Sequence, residues 1–512
     1  MRKLTIVAVA LLTALLAPSP ALAVDDVNTQ RLRNAVTVGG ILAHERVLQR
    51  IANRNGGTRA SGTPGYDASA DYVAGRLKAA GYKVSEQEFT FPFYRELSPA
   101  VLEQVTPTPT TYETGTYDFS GTGDVTGTLA TTNDVVIPPN PTPPPNSTSG
   151  CEPGDFTPAP ATPAVALIQR GTCTFEDKAN NAIAAGYDAV IIFNEGNPGR
   201  EDLFIGTLGN PFDIPVVGLS FADGAALVAQ LQAGDTVTMH VATETEIDPT
   251  RTTRNIIADS PTGNANHVVV VGAHLDSVIA GPGINDNGSG TSTILEIAEE
   301  MAKLGIKNRQ MVRFAFWGAE ELNLLGSEHY VETLSDDDLG KIVANLNFDM
   351  LGSPNYVRFV YDGDGSDTPT AGPPGSAQIE DIFNKYFASQ GLASEPTAFD
   401  GRSDYGPFIA VGIPAGGLFS GAEGEKTAEE AAVYGGTAGA PYDPCYHQAC
   451  DTTNNLNTKA LFELGDAAAH ATMTLARSRT GLFEDGSFRA GARSTAAASA
   501  KALAFSGPQA VR

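Results

Sequence analysis

The sequence predicts an α/β fold in which a mainly parallel sheet, flanked by helices, is interrupted by a β-rich inserted module. From residue 253 onward, short apolar runs alternate with segments of helical periodicity, an order typical of a parallel sheet covered on both faces. Residues 99–163 are instead rich in Thr, Pro and Gly, which excludes regular helix there. At 512 residues, the chain is also longer than one hydrophobic core usually supports.

The amino terminus has the features of a secretory signal. Two basic residues precede an apolar run over residues 4–16 and a small-residue cleavage site that ends at Ala23. The run is too short to cross a bilayer, which takes roughly 20 residues. We expect residues 1–23 to be a signal peptide and the mature protein, from Val24, to be secreted and extracellular.

The charge of the chain excludes some classes of partner. It carries 33 Lys and Arg against 59 Asp and Glu, a net charge of -26. Such an excess of negative charge opposes binding to nucleic acid and to anionic membranes. We therefore expect no nucleic-acid partner and no membrane partner.

The four cysteines are expected to form two disulfides, because exported proteins fold in oxidising compartments. Four cysteines allow three connectivities. The simplest pairs neighbours in the sequence, Cys151 with Cys173 and Cys445 with Cys450.

The first α/β elements lie before residue 100. Apolar side chains recur at helical spacing over residues 68–80, and Gly81 is a typical helix stop. A strand-like segment over residues 83–91 follows it.

The inserted module has its own strands and helices. Buried strands are predicted at residues 165–169, 189–193 and 216–219, and helices at residues 175–185 and 222–231. Because these elements follow one another closely along the chain, we expect them to form a compact unit.

The α/β pattern resumes after the module. Strands are predicted at residues 267–271, 311–316, 343–348 and 416–419. Between the first two, a helix is predicted from one apolar face, formed by Ile294, Ile297, Ala298 and Met301.

These elements predict a discontinuous main domain over residues 24–110 and 248–480, with the insert over residues 111–247. Residues 481–512, rich in Ala, Ser and Arg, show little patterning. We expect them to form a flexible or removable tail.

Metal-compatible side chains follow three of the predicted strands. His274, the neighbouring Glu320 and Glu321, and Asp349 each come just after an apolar run. In open α/β sheets, ligands bind beyond the carboxyl ends of the strands. The sequence therefore predicts a functional site at this edge, with His447 from a later loop as a further ligand.

Asp286 lies in a glycine-rich loop that permits close approach to a cation. Imidazole and carboxylate ligands suit zinc, and one carboxylate can bridge two ions about 3.5–4 Å apart. Asp286 is the predicted bridge. Asp276, two residues beyond His274, is expected to accept the other imidazole N–H of that histidine and fix its tautomer.

Glu320 and Glu321 are expected to differ in role, because neighbouring residues cannot readily serve the same atom. One would bind metal, and the other would take a proton from a water whose pKa the metal lowers toward about 7. The spacing alone leaves open which residue does which.

Several segments together resemble the secreted two-zinc aminopeptidases related to bacterial leucine aminopeptidases and fungal aminopeptidase Y. The matching segments span the predicted α/β portion and are specific as a set. They are residues 272–277 (GAHLDS), 285–290 (NDNGSG), 317–321 (WGAEE), 347–350 (NFDM), 401–405 (GRSDY) and 445–450 (CYHQAC).

The resemblance implies one zinc on His274 and Asp349, a second on Glu321 and His447, and Asp286 between them. It implies that Glu320 is the general base of a zinc-activated water and that Tyr446 donates a hydrogen bond to the oxyanion. It also implies that Arg402, with Glu320 and Asp349, surrounds the substrate amino group, and that Met350 and Phe419 line an apolar side-chain pocket.

Residues 165–175 and 185–194 resemble a protease-associated domain, which the smallest bacterial aminopeptidases lack. The implied function is removal of apolar, leucine-like residues from peptide or protein amino termini, by a chain that we expect to be a monomer. The sequence leaves any calcium requirement open.

Two other functions are compatible with the same scaffold. A carboxypeptidase of the glutamate carboxypeptidase type needs cationic groups to hold the substrate carboxylate, and Arg402 is the basic residue that the sequence brings to the site. A non-catalytic binding protein would have lost its metals, whereas all five ligands are kept here. No Gly-x-Ser-x-Gly or His-Glu-x-x-His segment occurs, which argues against serine hydrolase and single-zinc helix sites.

Overall fold

The computed structural model describes residues 27–139, 147–160, 163–483 and 485–488. The predicted signal peptide and residues 489–512 of the predicted tail lie outside these ranges. Within them, the fold is built on one mixed sheet of thirteen strands. The strands are β1 (Lys83–Thr106), β2 (Thr110–Thr111), β3 (Gly123–Thr131), β4 (Ala164–Gln169), β5 (Ala189–Phe193), β6 (Val216–Leu219), β7 (Thr238–Asp259), β8 (Asn264–His274), β9 (Gln310–Trp317), β10 (Ile342–Phe348), β11 (Phe359–Tyr361), β12 (Glu395–Thr397) and β13 (Ala415–Phe419).

The described residues also contain twelve α-helices, none of them long and apolar enough to cross a membrane. Most of the longer helices begin at a Ser, Thr or Asn whose side chain accepts a backbone N–H of the first turn. The helices are α1 (Gln30–Arg33), α2 (Val38–Arg54), α3 (Pro64–Ala79), α4 (Phe175–Ala184), α5 (Phe221–Gln232), α6 (Gly290–Lys303), α7 (Leu325–Thr333), α8 (Asp336–Lys341), α9 (Ser376–Ser389), α10 (Gly406–Ala410), α11 (Ala428–Tyr434) and α12 (Thr458–Arg477).

The larger half of the sheet has the strand order β12-β11-β13-β10-β8-β9-β7. Strands β13, β10, β8 and β9 are parallel, and β7 lies antiparallel to β9. Val269 and Val271 of β8 pack into a core with α2, α3, α6, α9 and α12, whereas Val268 and Val270 pack on the opposite face with α7, α8 and α10. The predicted parallel sheet covered on both faces is confirmed.

The inserted module contains the parallel strands β3, β4, β5 and β6. Helix α4 covers one face of these strands and α5 the other, each over a separate hydrophobic core. The disulfide between Cys151 and Cys173 fastens a preceding loop to the start of α4. The predicted elements of the module are confirmed, with their ends shifted by about one residue.

Strands β1 and β7 form a long antiparallel ribbon that runs through both halves of the sheet. We predicted a strand only over residues 83–91, and this was wrong, because β1 continues to Thr106. Pro92 and Pro99 do not interrupt it, since both lie at register shifts where no ladder hydrogen bond from that residue is needed. The predicted domain limits at residues 110 and 248 remain a prediction.

Candidate active site

Three adjacent strands end at one edge of the sheet with the predicted metal ligands. His274 is the last residue of β8, Asp349 directly follows β10, and Glu320 and Glu321 lie just beyond the end of β9. Because β10, β8 and β9 are neighbours and parallel, their carboxyl ends meet at this edge. The side chains of His274, Glu320 and Glu321 are all buried there.

Asp286 lies in an irregular turn, Ile284–Ser289, that leads from β8 to α6. The turn begins after Gly283, whose φ of 58° favours glycine. The backbone N–H groups of Asn285 and Asp286 both donate to the carboxylate of Asp451, at 2.9 and 3.0 Å. These hydrogen bonds fix the backbone that carries the Asp286 carboxylate.

The side chain of Asn287 joins the same turn to the end of β10. Its Oδ1 accepts the N–H groups of Gly290 and Met350, and its Nδ2 donates to the Phe348 carbonyl. All of these atoms are buried, so each hydrogen bond is shielded from water.

His447 comes from a short loop closed by the disulfide between Cys445 and Cys450. The φ angle of His447 is 56°, in the left-handed region. Residues other than glycine keep this backbone conformation only where the surrounding structure stabilises it. The ring of Tyr446 stacks on the imidazole, with the ring centroids 3.8 Å apart. The loop therefore presents both rings together.

The predicted ligands meet in two groups that share Asp286. The Nε2 atom of His274 lies 3.1 Å from Asp349 Oδ1 and 3.2 Å from Asp286 Oδ1. The Nε2 atom of His447 lies 3.0 Å from Glu321 Oε2 and 3.2 Å from Asp286 Oδ2. Asp286 thus directs one oxygen toward each histidine.

These separations fit tetrahedral zinc. Two ligand atoms that each lie 2.0–2.1 Å from one zinc at the tetrahedral angle are about 3.3 Å apart. Each group offers one imidazole nitrogen and two carboxylate oxygens, which leaves one coordination position open, as in catalytic zinc sites. The buried cluster also has more carboxylates than cations, so it favours bound divalent ions.

The same charges shift the pKa values of the histidines. Burial opposes protonation of His274, but the carboxylates of Glu320 and Asp349 outweigh it and raise the imidazole pKa well above its usual value. At His447, burial is likewise outweighed, chiefly by Glu321, and the pKa rises to about 10. Both imidazoles are therefore strongly attracted to the surrounding negative charge.

The two neighbouring glutamates have different surroundings. Glu321 lies 3.0 Å from His447, whereas the Glu320 carboxylate approaches His274 only to 3.8 Å. The backbone N–H of Glu320 donates to Asp276 Oδ1. The same oxygen of Asp276, the predicted partner of the His274 imidazole, lies 3.6 Å from His274 Nδ1, which is longer than a hydrogen bond. Burial raises the pKa of Glu320 well above its usual value, against the lowering effect of His274.

The remaining predicted residues line one cleft of about 1100 Å³ that opens beside the ligands. Met350 and Phe419 form part of its wall. Arg402 donates to Glu423 Oε1 at 2.7 Å and to the Tyr446 hydroxyl at 3.3 Å. The structure therefore brings Arg402 into contact with Tyr446.

Arg59 is a supporting residue that sequence reasoning missed. It is fully buried, and its guanidinium donates to the backbone carbonyls of Leu275, Pro282 and Gly283. Burial lowers the pKa of Arg59 and raises that of the neighbouring Glu45, which is also fully buried, well above its usual value. Arg59 thereby ties the end of β8 to the turn that carries Asp286, and nothing in its local sequence indicates this role.

Ser403 and Asp404 were missed as well, although they directly follow Arg402 in one of the segments that carry the family resemblance. The Ser403 hydroxyl donates to Asp349 Oδ2 at 2.6 Å and accepts from the Asn347 side chain. Asp404 is completely buried, and burial raises the pKa of its carboxyl to about 8.

Comparison with known proteins finds related sequences and similar structures. Residues 255–472 match the model of peptidase family M28, and residues 125–227 match the PA domain. An aminopeptidase of Pseudomonas aeruginosa is 47% identical over 87% of this chain and 82% of its own length, and leucine aminopeptidase 2 of Arthroderma otae is 38% identical over 89% and 87%. The crystal structure of a zinc aminopeptidase from Bacillus subtilis is 25% identical, with a TM-score of 0.63 over 88% of this chain and 98% of that one.

Proposed function

This chain belongs to peptidase family M28 and carries a PA domain, and we propose that it is a secreted zinc-dependent aminopeptidase. Its substrates would be peptides and proteins with a free, preferably apolar, amino-terminal residue. The observation that carries the proposal is the pair of ligand groups that share Asp286, with the Glu320 carboxylate beside them.

Two zinc ions would be held by the two groups. His274 and Asp349 would hold one, Glu321 and His447 the other, and Asp286 would contribute an oxygen to each. Zinc would supply a Lewis acid at the scissile carbonyl and lower the pKa of a nearby water toward about 7.

Glu320 would act as the general base. Its carboxylate stays apart from the close contacts that Glu321 makes, so it can accept a proton from the attacking water. The water oxygen then bonds to the carbonyl carbon, the carbon–nitrogen bond breaks, and Glu320 returns the proton to the leaving nitrogen.

Tyr446 would stabilise the oxyanion that develops on the carbonyl oxygen. Because its hydroxyl accepts a hydrogen bond from Arg402, its own proton remains available for donation. Stacking on His447 and the disulfide-closed loop hold the ring in place before the substrate binds.

The charges in the cleft favour an amino terminus over a carboxyl terminus. Glu320 and Asp349 can accept N–H groups of a substrate ammonium, beside an apolar wall that includes Met350 and Phe419. Arg95 also lines the cleft, in addition to the predicted Arg402, but each arginine already pairs with a glutamate. The charge of each arginine is thus partly compensated, which makes it a weaker partner for a substrate carboxylate than a glutamate carboxypeptidase would require.

Terminally blocked peptides test this proposal. We expect release of leucine from a peptide with a free amino terminus and an amidated carboxyl terminus, and none from its amino-acetylated counterpart. A chelator should abolish the release, and added zinc should restore it. Release of the carboxyl-terminal residue from the acetylated peptide would instead favour the carboxypeptidase, and fewer than one zinc per chain would favour a binding protein.

Export is proposed from the signal-like residues 1–23 together with the two disulfides, which persist in oxidising compartments. The protein would then occur in the culture medium with an amino terminus near Val24. Recovery of the unprocessed chain in the cytoplasm alone would contradict export.

A further inference from the structure

The cleft beside the ligands extends onto the inserted module. The same continuous space that contains the carboxylates of Asp286 and Glu320 is also lined by residues of the β1 strand and of the module. Those residues include Tyr94, Arg95, Thr116, Asp118, Phe119 and Thr207. Residues of the inserted module therefore form part of the wall of the cleft.

The cleft is larger than one amino-acid side chain needs. Its volume is about 1100 Å³, whereas pockets of about 300–1,000 Å³ already enclose most of a drug-sized ligand. Ile279 also lines the cleft and is 37% exposed. Apolar and aromatic side chains are the usual lining of clefts that bind ligands.

Phe119 is held in a costly backbone conformation on this wall. Its φ is 68°, a left-handed value that a bulky side chain rarely adopts. Two backbone hydrogen bonds maintain the turn, from Phe212 N–H to the Phe119 carbonyl and from Ser120 N–H to the Tyr117 carbonyl. The Phe119 ring is buried in the core of the module, and its centroid lies 5.5 Å from that of the half-buried Tyr94 ring. The turn therefore packs Phe119 against an aromatic side chain that lines the cleft.

We propose that the module forms the binding wall for substrate residues on the carboxyl side of the scissile bond. The occupant is the peptide itself: with its amino group at Glu320 and Asp349 and its first side chain at Met350, the remaining chain must leave through the rest of the cleft. The preferred substrates are then peptides of three or more residues with an apolar residue after the scissile bond. This inference rests on the proposed aminopeptidase function.

The test compares two substrates that share the same first residue. Leucine amide has no residue beyond the scissile bond, whereas the amidated tetrapeptide Leu-Phe-Ala-Ala reaches the proposed wall. We expect the unaltered protein to have a higher kcat/KM for the tetrapeptide. Failure to cleave either substrate would remove the aminopeptidase proposal itself and not only this inference.

Two variants test the wall: one removes an aromatic side chain from it, and the other fills part of the cleft beside it. Tyr94→Ala removes an aromatic surface, and Thr207→Trp places a bulky ring in the cleft. Tyr94→Ala should lower kcat/KM for the tetrapeptide about tenfold, as expected for a lost aromatic contact, and Thr207→Trp should lower it by about the same factor by obstructing the cleft. Both variants should change kcat/KM for leucine amide less than about twofold. Thr110→Trp, on the exposed strand β2 and outside the cleft, is the matched control and should change neither value.

The outcome separates a binding wall from a structural role. A selective loss with the tetrapeptide supports the proposal. An equal loss with both substrates, or no loss with either, overturns it.

Discussion

The disulfide between Cys445 and Cys450 is expected to matter more for catalysis than for stability. The two cysteines are only 5 residues apart, and the two that form the other disulfide are 22 apart. From the loop-closure entropy, the short disulfide should contribute about 2 kcal/mol to the free energy of unfolding and the long one about 3 kcal/mol. Tyr446 and His447, however, lie inside the short loop.

Replacing both cysteines of each pair by serine separates the two effects. The Cys445→Ser, Cys450→Ser variant should lose about 2 kcal/mol in the free energy of unfolding but about 100-fold in kcat/KM for leucine amide, because a displacement of about 1 Å can cost that much. The Cys151→Ser, Cys173→Ser variant should lose more stability, about 3 kcal/mol, and keep its kcat/KM within about twofold.

Urea unfolding followed by circular dichroism gives the stabilities, and initial rates give kcat/KM. Equal losses of activity in the two variants would refute the reasoning, because the short disulfide would then act only through overall stability. Retention of full activity without the short disulfide would also refute it.

Three further predictions concern single residues. Glu320→Gln should keep its zinc content but lose about 10²- to 10⁴-fold in kcat, as expected for a lost general base, and normal turnover would contradict that role. Tyr446→Phe should lower kcat about 100-fold or more with little change in KM, and a change confined to KM would argue against oxyanion stabilisation. Burial lowers the pKa of Lys178 to about 8, below its unfolded value near 10.5. Between these two pH values the unfolded chain binds more protons than the folded chain, so the free energy of unfolding rises with pH. Lys178→Met should flatten this rise when urea unfolding is compared at pH 8 and pH 10, and an unchanged rise would contradict the burial of the Lys178 charge.

The sequence predicted the parallel part of the sheet because its strands are buried on both faces and therefore read as continuous apolar runs. The run before His274 and the run before Asp349 are examples, and they correspond to β8 and β10. The long ribbon of β1 and β7 was not predicted to its full length, since its residues are partly exposed and interrupted by prolines at bulges.

The metal-binding residues of the candidate site could be predicted from the sequence, but the residues that hold them in place could not. The ligand types and their positions after strands indicated a metal site. The spacing could not distinguish Glu320 from Glu321, because only the fold decides which carboxylate reaches His447. Arg59 could not be found either, since its partners are backbone carbonyls that carry no side-chain signature.

Zinc analysis with anomalous X-ray diffraction tests the central claim most directly. We predict two zinc ions per chain, about 3.5–4 Å apart, on either side of the Asp286 carboxylate. Asp286→Ala should lower the occupancy of both. A single ion, or two ions that Asp286 does not touch, would contradict the account.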